Sequence, residues 1–317
     1  MKKVLITRRL LKENEQKISK IWDAKLNVND EVYSQKKLKE LSEDCDAILS
    51  SITDNFDSNL INKISSKVKI ISNFAVGFGN IDIEAARKRN VVVTNTPDVL
   101  TDATAEIAML LILGASRRAA EGINYAKNKN WKWSADFLIG KELFGSKLGI
   151  LGMGRIGRAV AKRAKSFGME IHYHNRNKLK PDLEMGAIYH KTIKSLFSIS
   201  DILSINCPAT EKTKDIINKE TLEFFPEGAI ITNSARGDMI DDDAMINALK
   251  RKKIYAVGLD VYKGEPDIHS GYLNLPNVFV LPHLGSSTKK TRIDMADLAI
   301  NNIEDFFKTG KCKNIVN

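Results

Sequence analysis

The chain predicts an α/β protein made of two parallel-sheet domains, on three observations. Its 317 residues are the length of two ordinary domains of about 100–200 residues each. Short aliphatic and β-branched runs alternate with amphipathic stretches through both halves, the pattern of strand–helix–strand units with parallel strands. A glycine-rich turn, Gly152-Met153-Gly154-Arg155-Ile156-Gly157, stands between an apolar strand and a helix in the second half.

In the first hundred residues strands are expected at Val4–Thr7, Ala47–Ser50, Val68–Ser72 and Val91–Thr94, with helices at Asp30–Leu41, Ser58–Ser65 and Ile81–Arg89. Thr101–Gly122 is the longest helical candidate. Thr101 can cap it, and its nearly continuous apolar residues mean burial on most sides, which suits a link between domains. Asn124–Gly140 breaks the pattern with a polar loop carrying Trp131 and Trp133. It reads as contact with a partner subunit, as a substrate mouth, or as two rings folded back on their own domain. Strands then follow at Leu148–Leu151, Glu170–His174, Ile202–Ile205, Ala229–Thr232, Ala256–Leu259 and Val278–Leu281. Helices are expected at Arg155–Phe167, Ile193–Ser198, Lys219–Phe224 and Asp241–Lys250. The final helix, Ser287–Lys308, lies too far from the last strands for an ordinary crossover, and its return to the first domain would make that domain discontinuous.

Composition narrows the function classes. A hydrophobic fraction of 43% with 28% charged residues is that of a globular protein rather than a disordered or fibrous one. The longest apolar run, near Ile107–Ala115, is too short to cross a bilayer. Met1–Ile6 is followed at once by Thr7-Arg8-Arg9, which does not make a secretory leader. Cys45, Cys207 and Cys312 cannot all pair and have no metal-ligand spacing, so a reducing, cytoplasmic setting and no metal are expected. The net charge of +10 is scattered rather than gathered into a stripe with aromatics, which argues against nucleic acid. It leaves a general attraction for anionic small molecules.

The glycine turn is a dinucleotide-binding fingerprint because of its context. It follows Leu148–Leu151 and opens a helix, and a second strand, Ile171–His174, comes next. Gly152 permits the tight turn, Gly154 removes a Cβ that would block a pyrophosphate, and Gly157 lets helix and strand approach. The N–H groups at the helix start, around Arg155 and Ile156, would hold the anion, with the Arg155 side chain as a supplement. An acidic side chain usually closes the second strand where the cofactor is NAD, accepting from the ribose. Here the residues are His174-Asn175-Arg176-Asn177-Lys178. Asn175 would not repel a 2′-phosphate, and Arg176 and Lys178 would attract it, so NADP is favoured over NAD. The other reading makes Arg176 and Lys178 solvated surface residues of an undiscriminating enzyme.

Three segments after late strands carry the chemistry: Asn233–Asp238 with Arg236, Gly258–Pro266 with Glu265, and Leu281–Ser286 with His283. In an open parallel sheet, loops beyond the carboxyl ends of strands converge on the ligand crevice. A 2-oxo acid accepting hydride needs a cation for its carboxylate and a proton donor for its carbonyl oxygen. Arg236 suits the first by a bidentate grip, and His283 the second, since a free imidazole titrates near neutrality. Glu265 beside that imidazole would favour its protonated form and fix its tautomer.

The chain resembles the D-isomer-specific 2-hydroxyacid dehydrogenase family, most closely its glyoxylate and hydroxypyruvate reductase branch. Beyond the segments above, the resemblance rests on Asn73–Asp82, on Thr101–Glu106 and on the separations of 29 residues from Arg236 to Glu265 and 18 from Glu265 to His283. It implies two Rossmann-like or flavodoxin-like parallel-sheet domains with an active-site cleft between them. A discontinuous substrate-binding domain would span 1–100 plus 287–317, and the dinucleotide-binding domain 101–286. It implies that Arg236 anchors and polarises the 2-oxo acid, that His283 is the acid/base, and that Glu265 is its partner. The Val76 and Gly77 N–H groups would meet the substrate carboxylate, and Asp260 would face the nicotinamide carboxamide. Thr104 would sit near the cofactor's phosphate or ribose and the Cys207-Pro208 loop near its adenosine, with Ser234, Ala235 and Gly285 also in the cofactor site. Closure of the domains would exclude water, and a homodimer is implied. Departures are mild: Ser72–Ala75 is a less usual lead-in, Leu284 replaces an isoleucine, and Asn175 bears on the cofactor as argued. Alternatives are an NAD-linked phosphoglycerate or gluconate/2-ketogluconate dehydrogenase and a non-catalytic dinucleotide-sensing protein.

Overall fold

The computed structural model describes residues 1–317. They form two compact units, Met1–Leu100 with Ser286–Asn317, and Thr101–Gly285.

The first unit runs β1 (Lys3–Ile6), α1 (Lys12–Ile21), β2 (Asp23–Lys25), α2 (Gln35–Ser42), β3 (Ala47–Ser51), α3 (Ser58–Lys63), β4 (Ile70–Phe74), α4 (Ile83–Lys88) and β5 (Val92–Thr94). Its sheet has the order β2-β1-β3-β4-β5, parallel throughout. Being covered on both faces, its strands read as apolar runs: Val4, Leu5, Ile6, Ile48, Ile70 and Ile71 are all buried. Asp57 and Asp82 accept from the amides of Leu60 and Ala85 and so start α3 and α4.

Two differences from the sequence reading lie here. α1 and β2 occupy a stretch with no expected element; α1 starts at Leu11, which offers no capping side chain, and buries only Asn14 and Ile18 beneath a lysine-rich face. α2 begins at Gln35 rather than Asp30. Ser34 caps it, while Asp30 sits at φ 55° and binds the Arg8 guanidinium at 2.8 and 3.0 Å.

The second unit opens with α5 (Thr101–Ser116) and α6 (Ala119–Lys127). The single helix expected over 101–122 is therefore broken, and the expected loop is helical as far as Lys127. Arg118 turns left-handed at φ 54°, with its guanidinium held on Glu121 at 2.8 and 2.7 Å. The Lys141 amide takes the Ser116 carbonyl at 2.8 Å. The series continues with β6 (Lys147–Leu151), α7 (Arg155–Ser166), β7 (Glu170–His174), α8 (Pro181–Glu184), β8 (Ile188–Tyr189), α9 (Ile193–Phe197), β9 (Ile202–Ile205), α10 (Lys219–Leu222) and β10 (Ala229–Asn233). A 3-10 turn (Gly237–Met239), α11 (Asp242–Lys250), β11 (Ile254–Leu259), α12 (Ser270–Leu273) and β12 (Val278–Val280) complete it. The order β12-β11-β10-β9-β6-β7-β8 is again parallel throughout. The strand order reverses between β6 and β9, the switch point where such sheets take ligands. α5 is a core helix of this unit. A Cβ on Gly258 of β11 would come 2.9 Å from the Leu111 carbonyl, and one on Gly114 2.5 Å from the Phe279 ring.

The last helix, α13 (Lys289–Thr309), packs in the first unit. Ser72 of β4 donates to the Ala299 carbonyl at 3.0 Å, Asn302 to the Asn95 carbonyl at 3.1 Å, and Lys17 pairs with Asp297 at 2.8 Å. No helix is long and apolar enough to cross a membrane.

Candidate functional site

The glycine turn follows β6 and begins α7. Gly152 has φ +94°, and a Cβ there would lie 2.5 Å from the Cys207 nitrogen. Any other residue would be strained by conformation and by clash. A Cβ on Gly157 would meet the Gly152 carbonyl at 2.4 Å, so this glycine lets the helix seat on the turn. Gly154 differs: its Cβ would meet nothing within 4 Å. As N-cap of α7 it offers no side chain to the Ile156 and Gly157 amides. The turn has the open space and the donors that an anionic diphosphate needs. Arg155 stands exposed at its edge. The Cys207-Pro208 segment is the turn's neighbour, with burial pushing the Cys207 thiol up to about 11.

At the end of β7 the Asn175 Oδ1 accepts from the Met153 amide at 2.7 Å, tying this strand end to the glycine turn. Arg176 is exposed. Lys178 lies 3.7 Å from Glu184, so of the two cations expected to attract a phosphate it already has a carboxylate neighbour.

Arg236, Glu265 and His283 come together in the second unit. The His283 Nδ1 and Glu265 Oε2 are 2.6 Å apart. The other Glu265 oxygen accepts from the Tyr262 amide at 2.9 Å. Burial pushes the Glu265 carboxyl up, but the His283 and Tyr262 hydrogen bonds and the charges of His283 and Arg236 outweigh it and hold it below the usual range. An ionised Glu265 fixes the proton on His283 Nδ1 and leaves Nε2 for another partner. Burial lowers the Arg236 pKa, opposed by Glu265 and Asp238. Its Nη1 donates to the Ala235 carbonyl at 2.7 Å.

Several supports were not legible in the sequence. Asn233 at the end of β10 accepts from the Ala235 amide at 2.9 Å and donates to the Arg236 carbonyl at 2.8 Å, clasping the Ser234–Arg236 turn. Gly237 lets that turn touch the Tyr262 backbone, where a Cβ would come within 2.0 Å. The Tyr262 hydroxyl donates toward the carbonyls of Leu259 and Leu281, at 3.1 and 2.7 Å. His283 has a left-handed backbone, φ 54°, which is costly for most side chains. The following turn is held by Asp260, fully buried, whose two oxygens accept from the Leu284 and Gly285 amides at 2.7 and 2.9 Å. Thr104 donates to the Gly285 carbonyl at 3.0 Å. Asp260, expected to face the nicotinamide carboxamide, thus also holds the loop that carries His283. The Thr104 hydroxyl is likewise engaged with that loop.

In the first unit, β4 ends at Phe74 and the chain turns through Ala75-Val76-Gly77-Phe78. Asn95 donates to the Val76 carbonyl at 2.8 Å and Asn73 to the Gly77 carbonyl at 3.0 Å. The carbonyls are drawn inward, while the amides of Val76, Gly77 and Phe78 donate to nothing in the chain. Such a row leaves its donors available to an anion. Trp131 and Trp133 are 55% and 84% exposed, which rules out the reading that folds them back on their own unit. No group of three or more His, Cys, Asp or Glu is placed to hold a metal.

Residues 109–285 match the model of the D-isomer specific 2-hydroxyacid dehydrogenase NAD binding domain. The chain is 37% identical over 309 residues to a glycerate dehydrogenase of Hyphomicrobium methylovorum, covering 96% of each. It is 39% identical over 322 residues to a glyoxylate reductase of Thermococcus litoralis, covering 99% of this chain and 96% of that one. An NADPH-dependent glyoxylate/hydroxypyruvate reductase of Sinorhizobium meliloti, solved with NADP and malonate, superposes with a TM-score of 0.90. It has 28% identity over 99% of this chain and 96% of that chain.

Proposed function

The chain belongs to the D-isomer-specific 2-hydroxyacid dehydrogenase family, and from that premise we propose that it reduces glyoxylate to glycolate or hydroxypyruvate to D-glycerate, with NADPH preferred. That it is an NAD(P)-dependent 2-hydroxyacid dehydrogenase acting on a small 2-oxo acid follows from the family. The single observation behind the proposed chemistry is the 2.6 Å pairing of His283 with an ionised Glu265, under the influence of the Arg236 charge.

The second unit is the dinucleotide-binding domain and the first the substrate-binding domain in this reading. Amides of the glycine turn hold the pyrophosphate, and Asn175 and Arg176 meet the adenosine ribose with its 2′-phosphate. When bound, the reduced nicotinamide supplies hydride to the substrate C2. Arg236 grips the 2-oxo acid and stabilises the charge growing on its carbonyl oxygen. His283 delivers the proton from Nε2 to that oxygen, with Glu265 stabilising the imidazolium. The Val76 and Gly77 amides of the first unit hold the carboxylate. The NADPH preference is supported by Asn175, which brings no negative charge, and by the exposed Arg176.

The test is a panel of glyoxylate, hydroxypyruvate, 2-ketogluconate and phosphohydroxypyruvate, each with NADPH and with NADH, followed at the reduced-nicotinamide absorbance band. Highest kcat/KM for one of the first two with NADPH is expected. A preference for a sugar acid or phosphorylated acid, or for NADH, contradicts the finer assignment. Tight dinucleotide binding without turnover on any of them contradicts the reaction itself.

Gly154→Ala separates binding from folding. Its new methyl enters open space, so the melting temperature is expected to hold, while NADPH affinity by fluorescence titration falls by about tenfold or more. Unchanged affinity would remove the pyrophosphate from this turn. The exposed Trp131, Trp133, Ile139 and Phe144 support a homodimer, and sedimentation at the mass of one chain would exclude it.

A further inference from the structure

Arginines that lose water normally gain an acceptor in exchange. In this chain Arg8 binds Asp30 and Thr53, Arg89 the Asn62 and Ile64 carbonyls, Arg118 Glu121, and Arg163 Asp102. Arg292 has no such acceptor. It lies in the first turns of α13, only partly exposed, with its guanidinium over the Phe74 ring at 5.7 Å from the centroid. No hydrogen bond or ion pair of its guanidinium accompanies that stacking, and burial lowers its pKa with no carboxylate to oppose it.

The place of this unpaired cation is informative. Phe74 is the last residue of β4, and two residues later begin the Val76, Gly77 and Phe78 amides that also lack acceptors. A row of unused N–H donors and a partly dehydrated guanidinium without a counter-ion stand at the same strand end of the same unit. Each favours an anion with coplanar oxygens, and a guanidinium matches a carboxylate bidentately. The aromatic face beneath supplies part of the stabilisation that a missing carboxylate does not.

We propose that Arg292 is a substrate-binding residue, holding the carboxylate of the 2-oxo acid together with the Val76–Phe78 amides. The proposal rests on the 2-oxo acid reading above and assigns to the first unit a cation of its own. Arg236 keeps the task at the carbonyl oxygen, and Arg292 acts on affinity.

The test compares wild type, Arg292→Met and Arg292→Lys. Methionine packs on Phe74 without a charge to desolvate, so the melting temperature should stay level or rise. For Arg292→Met the KM of the preferred 2-oxo acid is expected to rise by about 10- to 100-fold, with kcat within about threefold and NADPH affinity unchanged. Arg292→Lys should recover part of the KM. Oxalate binding by calorimetry, in the presence of NADPH, should weaken by the same factor as KM. An unchanged KM and oxalate affinity in Arg292→Met would overturn the proposal, as would a joint fall of kcat and melting temperature that lysine does not mend. If wild type reduces no 2-oxo acid, the functional reading fails on its own, and the oxalate titration still decides Arg292.

Discussion

Replacing His283 with asparagine is expected to lower kcat for 2-oxo acid reduction by about 10²- to 10⁴-fold, with KM and NADPH affinity changed only a few-fold. That range is what a positioned general acid contributes. Asparagine is the informative choice because residue 283 sits at φ 54°. Asparagine tolerates the left-handed region, so the loop clamped by Asp260 should keep its shape. It also leaves a donor for Glu265. The loss is then the loss of a proton at Nε2 and not of the fold, and an unchanged melting temperature checks this. A kcat within about threefold of wild type would show that the proton comes from elsewhere.

Arg236→Gln should be more damaging in kcat/KM, by about 10³-fold or more, because both binding and turnover suffer. A preorganised donor at a developing oxyanion accounts for about 10²–10³ in kcat, and the lost carboxylate or carbonyl grip adds to KM. Arg236→Lys should recover little, since an ammonium lacks the planar fork. The partly dry setting of Arg236, whose pKa burial lowers, makes its charge act at short range with little screening. Initial rates over a range of substrate concentrations separate the two components. A variant that changed KM alone would place Arg236 in binding and remove it from the oxyanion.

The parts of this molecule that could be read from its sequence are those whose physics is local. Gly152 answers to its own positive φ and Gly157 to the Gly152 carbonyl, both set by the strand–turn–helix itself, and so the turn was identifiable. The parallel strands were legible because burial on both faces makes them apolar runs. Other features depend on individual side-chain contacts that leave no pattern in the sequence. Nothing near Asp260 announces that its carboxylate will hold amides 24 and 25 residues away. Nor does Asn233 signal its clasp on the turn that carries Arg236. The break after Ser116 carries no glycine or proline, and Arg118 adopts its left-handed turn through an ion pair with Glu121. α1 was hidden by its lysines, which cover a helix with only two buried positions. Arg236, Glu265 and His283 were grouped from loops at strand ends and from the family resemblance. Taken singly, an arginine, a glutamate and a histidine on separate loops carry little information.

The most direct measurement gives the enzyme hydroxypyruvate and NADPH carrying two deuterium atoms at the nicotinamide C4, and examines the product by NMR and chiral chromatography. D-glycerate carrying one deuterium at C2 is expected from wild type, with its formation nearly abolished in His283→Asn. L-glycerate, product without the label, or undiminished labelled product from the His283 variant would contradict the proposed reaction.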